Sequence, residues 1–357
     1  MKVAIFLGHP AHFHMFKFVA KQLKARGHTV EFVIKQKDIL EQLLLDANYD
    51  YTVIREKERT NNSKLGLITS LLKMDLKMLK FLRRSKPDLL IGTYVVLLNK
   101  LSGVPVIVTN EDDAAVVPYL ALTSYPLASA ILNPVSCNSG RWDKKAIKYR
   151  GFQKLAYLHP NHFTPEKEVV SKYIDLSRPY FLLRFAKLNA HHDGGVSGIN
   201  FNIAFRIIEI LKPFGNIYIS SERALEPKLE NYRIKIAPLD IHHLLAFATM
   251  YIGDSQSMAV EAAMLGVPSV RFNDFAGKIG VLEELEHDYG LTYGIKTDKP
   301  ELLFRKIEEL LALPNLSEEF QLRRKNMLSE KIDVTAFLVD FIENYPKYLK
   351  DKETFEC

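Results

Sequence analysis

Residues 251–272 read YIGDSQSMAVEAAMLGVPSVRF. Tyr251 and Ile252 close an apolar run, and Gly253-Asp254-Ser255 makes a turn. The spacing predicts a helix from about Ser257 to Leu265, ended by Gly266, with Pro268 opening the next strand. Strand, turn, helix and strand in that order form a βαβ unit, which needs a parallel sheet covered by helices. Small polar residues at the helix start leave backbone N–H groups directed outward, and with the helix dipole these attract an anion. Glu261 lies about one turn further on. A carboxylate there can accept hydrogen bonds from two vicinal hydroxyls, such as those of a ribose, while the helix start holds the attached phosphates. The competing reading makes Ser255 or Ser257 an N-cap and Glu261 a surface residue, because capping is common. Spacing leaves both open.

The same alternation extends outward from this segment. Val3–Leu7 is a strand stopped by Gly8, and residues 12–26 carry Phe13, Phe16, Val19, Ala20 and Leu23 at helical spacing before Gly27. Helices at about 36–46, 63–85 and 94–102 alternate with strands at 29–34, 51–54, 89–92, 104–109 and 130–132. A second series begins near residue 164, with helices at about 166–174, 199–211, 225–229, 241–247 and 257–265. Its strands fall near 180–184, 216–220, 234–236, 249–252, 269–272 and 291–293, and 299–350 is mostly helical. Two α/β series of similar length predict two Rossmann-like domains, 1–163 and 164–332, followed by a C-terminal helix in 333–357. The polar, proline-containing YLHPNHFTPEKE (157–168) is the expected linker.

A chain of 357 residues, 47% hydrophobic and 25% charged, has the profile of a soluble globular protein of two domains. No apolar run approaches the roughly 18 residues that span a bilayer. Lys2 is a thin n-region and Gly-His-Pro cuts the first apolar segment short, so no signal peptide is expected. Two cysteines, Cys137 and Cys357, cannot staple a chain of this size, and a cytoplasmic location is the expectation. The net charge of +6 favours anions without choosing between nucleic acid, anionic lipid and nucleotide phosphate. No aromatic-basic platform points to nucleic acid as a partner. The basic and apolar stretch 64–86 either lies on an anionic membrane at its inner face or packs on the sheet with its lysines in water.

The first loop, Gly8-His9-Pro10-Ala11-His12, occupies a carboxyl strand end, where doubly wound sheets bind ligands. Histidine is suited to accept a proton near neutral pH. His12 is the first catalytic candidate, with His9 beside it, and Gly8 is grouped with the ligand-binding residues. Packing or capping competes with this reading. No metal site is expected, since residues 12 and 14 point to different sides of a helix. Glu111 and Asp112, with Asp113, sit at another strand end and either supply a base, bind acceptor hydroxyls or form a solvated turn. His191-His192-Asp193 and Gly194-Gly195 follow the first strand of the second series, and Arg184 is a candidate phosphate contact or an ordinary strand-end arginine.

The pattern D-S-x(5)-E-A-x-x-L-G-x-P (Asp254, Ser255, Glu261, Ala262, Leu265, Gly266 and Pro268) resembles the nucleotide-sugar site of GT-B-fold proteins. It is similar both to GT-B glycosyltransferases and to non-hydrolysing UDP-N-acetylglucosamine 2-epimerases. GHPAHFHMFKFVAKQLKARGHTV and YRGFQKLAYLHP (149–160) resemble a prokaryotic family of predicted GT-B sugar-transfer proteins. The resemblance implies two Rossmann-like domains facing across a cleft, the acceptor on the side of the first loop, and C-terminal helices from about 317 crossing back to the first domain. It places Ser255 and the amides of Gln256 and Ser257 on the diphosphate and Glu261 on the ribose. The epimerases have two glycines after the serine, where this chain has Gln256 and Ser257, and a His-Arg pair that His191-His192 match in part. The implied activity is transfer of a sugar from a nucleotide-sugar donor, a UDP-sugar favoured, to a glycan or lipid-linked acceptor in polysaccharide assembly, with no cofactor and no essential metal. UDP-sugar epimerisation and non-catalytic nucleotide-sugar binding are the alternatives.

Overall fold

Short apolar runs become parallel strands in both halves of the chain, because a strand covered by helices on both faces has no polar side to show. The computed structural model describes residues 1–56, 64–93, 97–186 and 198–350. It divides into two units: Met1–His162 with Ile332–Cys357, and Phe163–Lys331. The fold is α/β, as the sequence pattern predicts.

The first unit runs β1 (Lys2–Leu7), α1 (Pro10–Ala25), β2 (Thr29–Lys35), α2 (Leu40–Asp46), β3 (Tyr51–Arg55), α3 (Lys64–Ser85), β4 (Leu89–Gly92), β5 (Val106–Thr109), α4 (Pro118–Ser124), β6 (Ala130–Pro134), β7 (Ala146–Tyr149) and α5 (Leu155–Leu158). Its seven strands are ordered β3-β2-β1-β4-β5-β6-β7, all parallel. The direction of winding reverses between β1 and β4. The loops leaving those two strands therefore diverge and open a crevice at their carboxyl ends.

The second unit runs α6 (Lys167–Val170), β8 (Tyr180–Phe185), α7 (Phe201–Leu211), β9 (Asn216–Ser221), α8 (Ile241–Ala246), β10 (Met250–Gly253), α9 (Gln256–Leu265), β11 (Ser269–Phe272), α10 (Gly280–His287), β12 (Thr292–Ile295), α11 (Pro300–Leu311) and α12 (Leu316–Glu330). Its parallel strands are ordered β12-β11-β10-β8-β9, with the reversal between β8 and β10. Only glycine fits at Gly253, the last residue of β10: a Cβ would lie 2.5 Å from the Tyr251 hydroxyl and 2.8 Å from the Arg184 carbonyl.

The chain then returns. α13 (Val334–Lys350) belongs to the first unit, where it packs against α1 and α5. Leu338, Phe341 and Ile342 are fully buried there, and the Thr335 hydroxyl donates to the Ala156 carbonyl at 2.6 Å. α12, expected to cross back as well, stays with the second unit.

Other details of the sequence reading are corrected. Residues 234–236 form no strand; an isolated bridge joins Ile219 to Arg233, and the segment is half-exposed. The helix expected at 225–229 is a tight 3-10 turn at Pro227–Tyr232, and of the helix expected at 94–102 the described part, Leu97–Ser102, is a 3-10 turn, 94–96 lying outside the described residues. β7 and α10 were not anticipated. Among the described residues, no helix is long and apolar enough to cross a membrane.

Candidate functional site

The carboxyl edge of the second sheet is built around one helix start. Ser255 is the N-cap of α9, with extended backbone and its hydroxyl accepting from the Met258 amide at 3.4 Å. First-turn amides have no acceptor within their own helix, and no acceptor among the described residues takes those of Gln256 and Ser257. The Gln256 side chain adds a buried amide oxygen and nitrogen, neither with a partner among the described residues. The other end of α9 is closed. Gly266 takes the left-handed conformation at φ +70°, Arg324 donates to the Met264 carbonyl at 2.6 Å, and Gln321 donates to the Leu265 carbonyl at 2.9 Å. One cation and one amide donor on the last turn, with open amides on the first, leave the anion-attracting end of the helix as the free one.

Glu261 is not the surface residue of the competing reading. It is 7% exposed, and its Oε1 faces Nε2 of the buried His242, on α8, at 3.4 Å.

Asp254, to which the sequence reading gave no role, is the organising side chain. One of its oxygens accepts from the Ala186 amide at 2.6 Å and the other from the Ile199 amide at 3.2 Å. Arg223 approaches at 3.4 Å. Burial raises the Asp254 pKa, against the pull of these donors. One carboxylate thus bridges β10 to Ala186, just past β8, and to Ile199, residues on either side of the segment 187–197. His191, His192 and Gly194-Gly195 lie in that segment, outside the described residues. Arg184 Nη1 donates to the Ser220 hydroxyl at 2.5 Å and Nη2 pairs with Glu222, while its buried Nε has no partner among the described residues.

The first sheet has a bridge at its own switch point. His9 is the N-cap of α1, its Nδ1 accepting from the Ala11 amide at 3.2 Å, with Pro10 in the first helical position. The ring of His12 folds back over the loop, where its Nδ1 accepts from the Gly8 amide at 3.1 Å. Thr93 Oγ, just past β4, lies 3.0 Å from Nδ1 and 3.2 Å from Nε2. An Nδ1 that accepts an amide carries no proton, so the neutral ring bears its hydrogen on Nε2. Burial, with His9, Lys154 and Lys37 nearby, holds the His12 pKa well below 6.5. His12 is therefore a neutral donor at Nε2, with its acceptor lone pair occupied by Gly8. A Cβ at Gly8 would meet its neighbours no closer than 3.8 Å, so no internal contact demands glycine there. His14 is buried inside α1 against Tyr157, away from this loop.

This depressed pKa carries a sign. The unfolded chain binds a proton at His12 below 6.5 and the folded chain does not, so stability present above 6.5 is lost progressively as the pH falls toward the lowered folded value. His12→Gln, which removes the titration, flattens the fall in unfolding free energy between about pH 7 and about pH 5, read from urea midpoints. An unchanged slope would show that His12 does not titrate differently on folding.

Glu111 stands just past β5 and pairs with the Lys154 ammonium; the two side chains are 13% and 7% exposed. Its second oxygen is buried without a partner among the described residues, as are the Tyr149 hydroxyl and the Gln153 amide nitrogen. Burial, then the Glu111 charge, raises the Tyr149 hydroxyl pKa well above its ordinary value, so the group stays protonated. Buried polar atoms without partners are few in native proteins, and a group of them marks unused hydrogen-bonding capacity. Asp112 and Asp113 belong to the turn. The Asp112 carbonyl accepts from Asn110 at 2.8 Å, and an Asp113 carboxylate oxygen accepts from the Asn138 amide at 2.7 Å. Lys154 escaped the sequence reading; the signal was a lysine inside the apolar FQKLAYL, since a buried lysine needs a partner. Among the described residues, no cluster of three His, Cys, Asp or Glu side chains could hold a metal ion.

The profile of the family described as "Protein of unknown function (DUF354)" matches residues 1–345. The chain belongs to the DUF354 family. No curated protein matches this DUF354 chain in sequence. Solved structures match over nearly its whole length. S. aureus MnaA in a co-structure with UDP is 14% identical, covers 98% of this chain and 97% of its own, and superposes with a TM-score of 0.67. UDP-GlcNAc 2-epimerase from Neisseria meningitidis bound to UDP-GlcNAc is 16% identical, with 97% and 100% covered and a TM-score of 0.65. The spinosyn forosaminyltransferase SpnP is 13% identical, with 98% and 99% covered and a TM-score of 0.65. The DUF354 chain has the GT-B fold that the sequence motifs resemble.

Proposed function

We propose that this chain binds a nucleotide-sugar, a UDP-sugar favoured, at the carboxyl edge of its second sheet and transfers the sugar to a hydroxyl of a glycan or lipid-linked acceptor held by the first unit. The observation that carries this reading is the open start of α9 at the β8/β10 switch point. Two unclaimed amides and the Ser255 hydroxyl stand at that start, and its first residue, Gln256, carries an unpartnered side-chain amide. That set suits a diphosphate, and a fixed dipole stabilises the charge that develops on it as it departs. No essential metal is invoked. Glu261, one helical turn in, accepts the ribose hydroxyls. On the first unit, the Nε2 hydrogen of His12 orients the acceptor and the free oxygen of Glu111 receives its proton. The solved transferases and epimerases of the same fold support the class of ligand.

Epimerisation of a UDP-sugar is the second reading. It is favoured by one observation, the buried Glu111 carboxylate with an unpartnered oxygen, because removing a proton from a sugar carbon needs such a base. The test is to incubate the purified chain with UDP-GlcNAc and other UDP-sugars and follow the anomeric proton signals. Release of UDP only when an acceptor glycan is present supports transfer. Appearance of a second UDP-sugar without acceptor supports epimerisation. If neither appears, and UDP, dTDP, GDP and CMP all leave the melting temperature unmoved, the nucleotide-sugar reading is overturned.

A further inference from the structure

We infer that the exposed face of α3 docks the first unit on an anionic lipid bilayer. α3 is two-sided: Met74, Met78 and Leu82 are buried in the core of the first unit. On its other side Leu72 is 49% and Leu76 59% exposed, and Lys73, Lys77, Lys80, Arg83 and Arg84 are exposed with them. At about 100° per residue these seven positions fall within about 140° of arc, so leucines and cations share one stripe. The only acid of α3, Asp75, is buried. Glu56 approaches Lys77 at 3.7 Å, and both are exposed, so this pair is too weak to cancel the charge of the stripe. The turn Leu97–Ser102 packs against α3 and adds an exposed Lys100 and Leu101, the latter 61% exposed. Past the end of α3, Arg83, Lys86 and Ser102 border a recess of about 390 Å³.

The combination selects the occupant. A polyanion such as nucleic acid matches the cations and gains nothing from two exposed leucines. A second apolar protein surface matches the leucines and offers nothing to the five cations. Anionic headgroups pair the cations while leucines reach the acyl boundary, which is how a helix lies in a membrane interface without spanning it. The inference is independent of which reaction the chain performs.

The full chain is sedimented with phosphatidylcholine vesicles and with vesicles of equimolar phosphatidylcholine and phosphatidylglycerol. Binding is expected only to the second kind, with release at high salt. Lys73→Gln with Lys77→Gln lowers the partition coefficient roughly 30-fold. Leu72→Ser with Leu76→Ser lowers it about tenfold. Both pairs keep the native melting temperature, since their side chains are exposed. The inference is overturned if phosphatidylglycerol makes no difference. It is overturned equally if the lysine pair binds the phosphatidylglycerol vesicles like the native chain, which removes the stripe from the contact. Dispersal of a dimer by the leucine pair in the absence of vesicles would assign it instead to a second copy.

Discussion

Glu261→Ala lowers the affinity for UDP by about a hundredfold or more. In the proposed complex the carboxylate accepts two ribose hydroxyls, and a hydrogen bond to a charged group contributes about 1.5–3 kcal/mol. Two together reach about 3 kcal/mol, and about 1.4 kcal/mol is a factor of ten. The effect appears in a melting experiment. At a UDP concentration of roughly 100 times the native Kd, the native chain gains about 2.7 kcal/mol of stability and the variant about 0.4 kcal/mol. The variant also loses its contact with His242, so its melting temperature without ligand is the reference. Glu261→Gln keeps an acceptor oxygen without the charge and falls between the two. An undiminished UDP shift in Glu261→Ala would remove this residue from the nucleotide site.

Lys154→Met destabilises the fold by about 3–5 kcal/mol, because it strands the Glu111 carboxylate in a buried setting. Both side chains of that pair are largely shielded from water, and the loss of one partner leaves the desolvation of the other unopposed. Adding Glu111→Gln removes the stranded charge and recovers most of the loss, so the double variant unfolds in urea near the native midpoint. The coupling between the two changes, taken from a double-mutant cycle, measures the pair. A single-variant loss below about 1 kcal/mol would place the pair among weak surface contacts.

Much of this molecule was legible because both sheets are buried on two faces. β1, β8 and β10 are nearly continuous apolar runs that end at a glycine or a polar residue, and such runs read as strands without knowledge of their neighbours. β7 was missed because Ala146 and Lys148 are half-exposed at a sheet edge, leaving only alternate buried positions. α10 was missed because Ile279 supplies no side-chain cap; its Glu283 and Glu286 instead reach the fully buried Arg271, a distant partner. The site divides in the same way. Ser255 as the start of a helix is local information. The depth of Glu261 depends on His242 from another helix, and the roles of Asp254 and Lys154 depend on Ala186, Ile199 and Glu111, none of them close in sequence.

The return of α13 has a consequence for how the chain comes off the ribosome. The first unit is encoded in two pieces, and the helix that covers α1 and α5 emerges only after the whole second unit has been made. The second unit, continuous from Phe163 to Lys331, holds all its strands and helices before the first one does. Until α13 arrives, the nascent first unit carries bare apolar ground where Leu338, Phe341 and Ile342 will lie, and exposed ground of that kind invites aggregation. The half translated first is the half completed last, which reverses the usual order of vectorial folding.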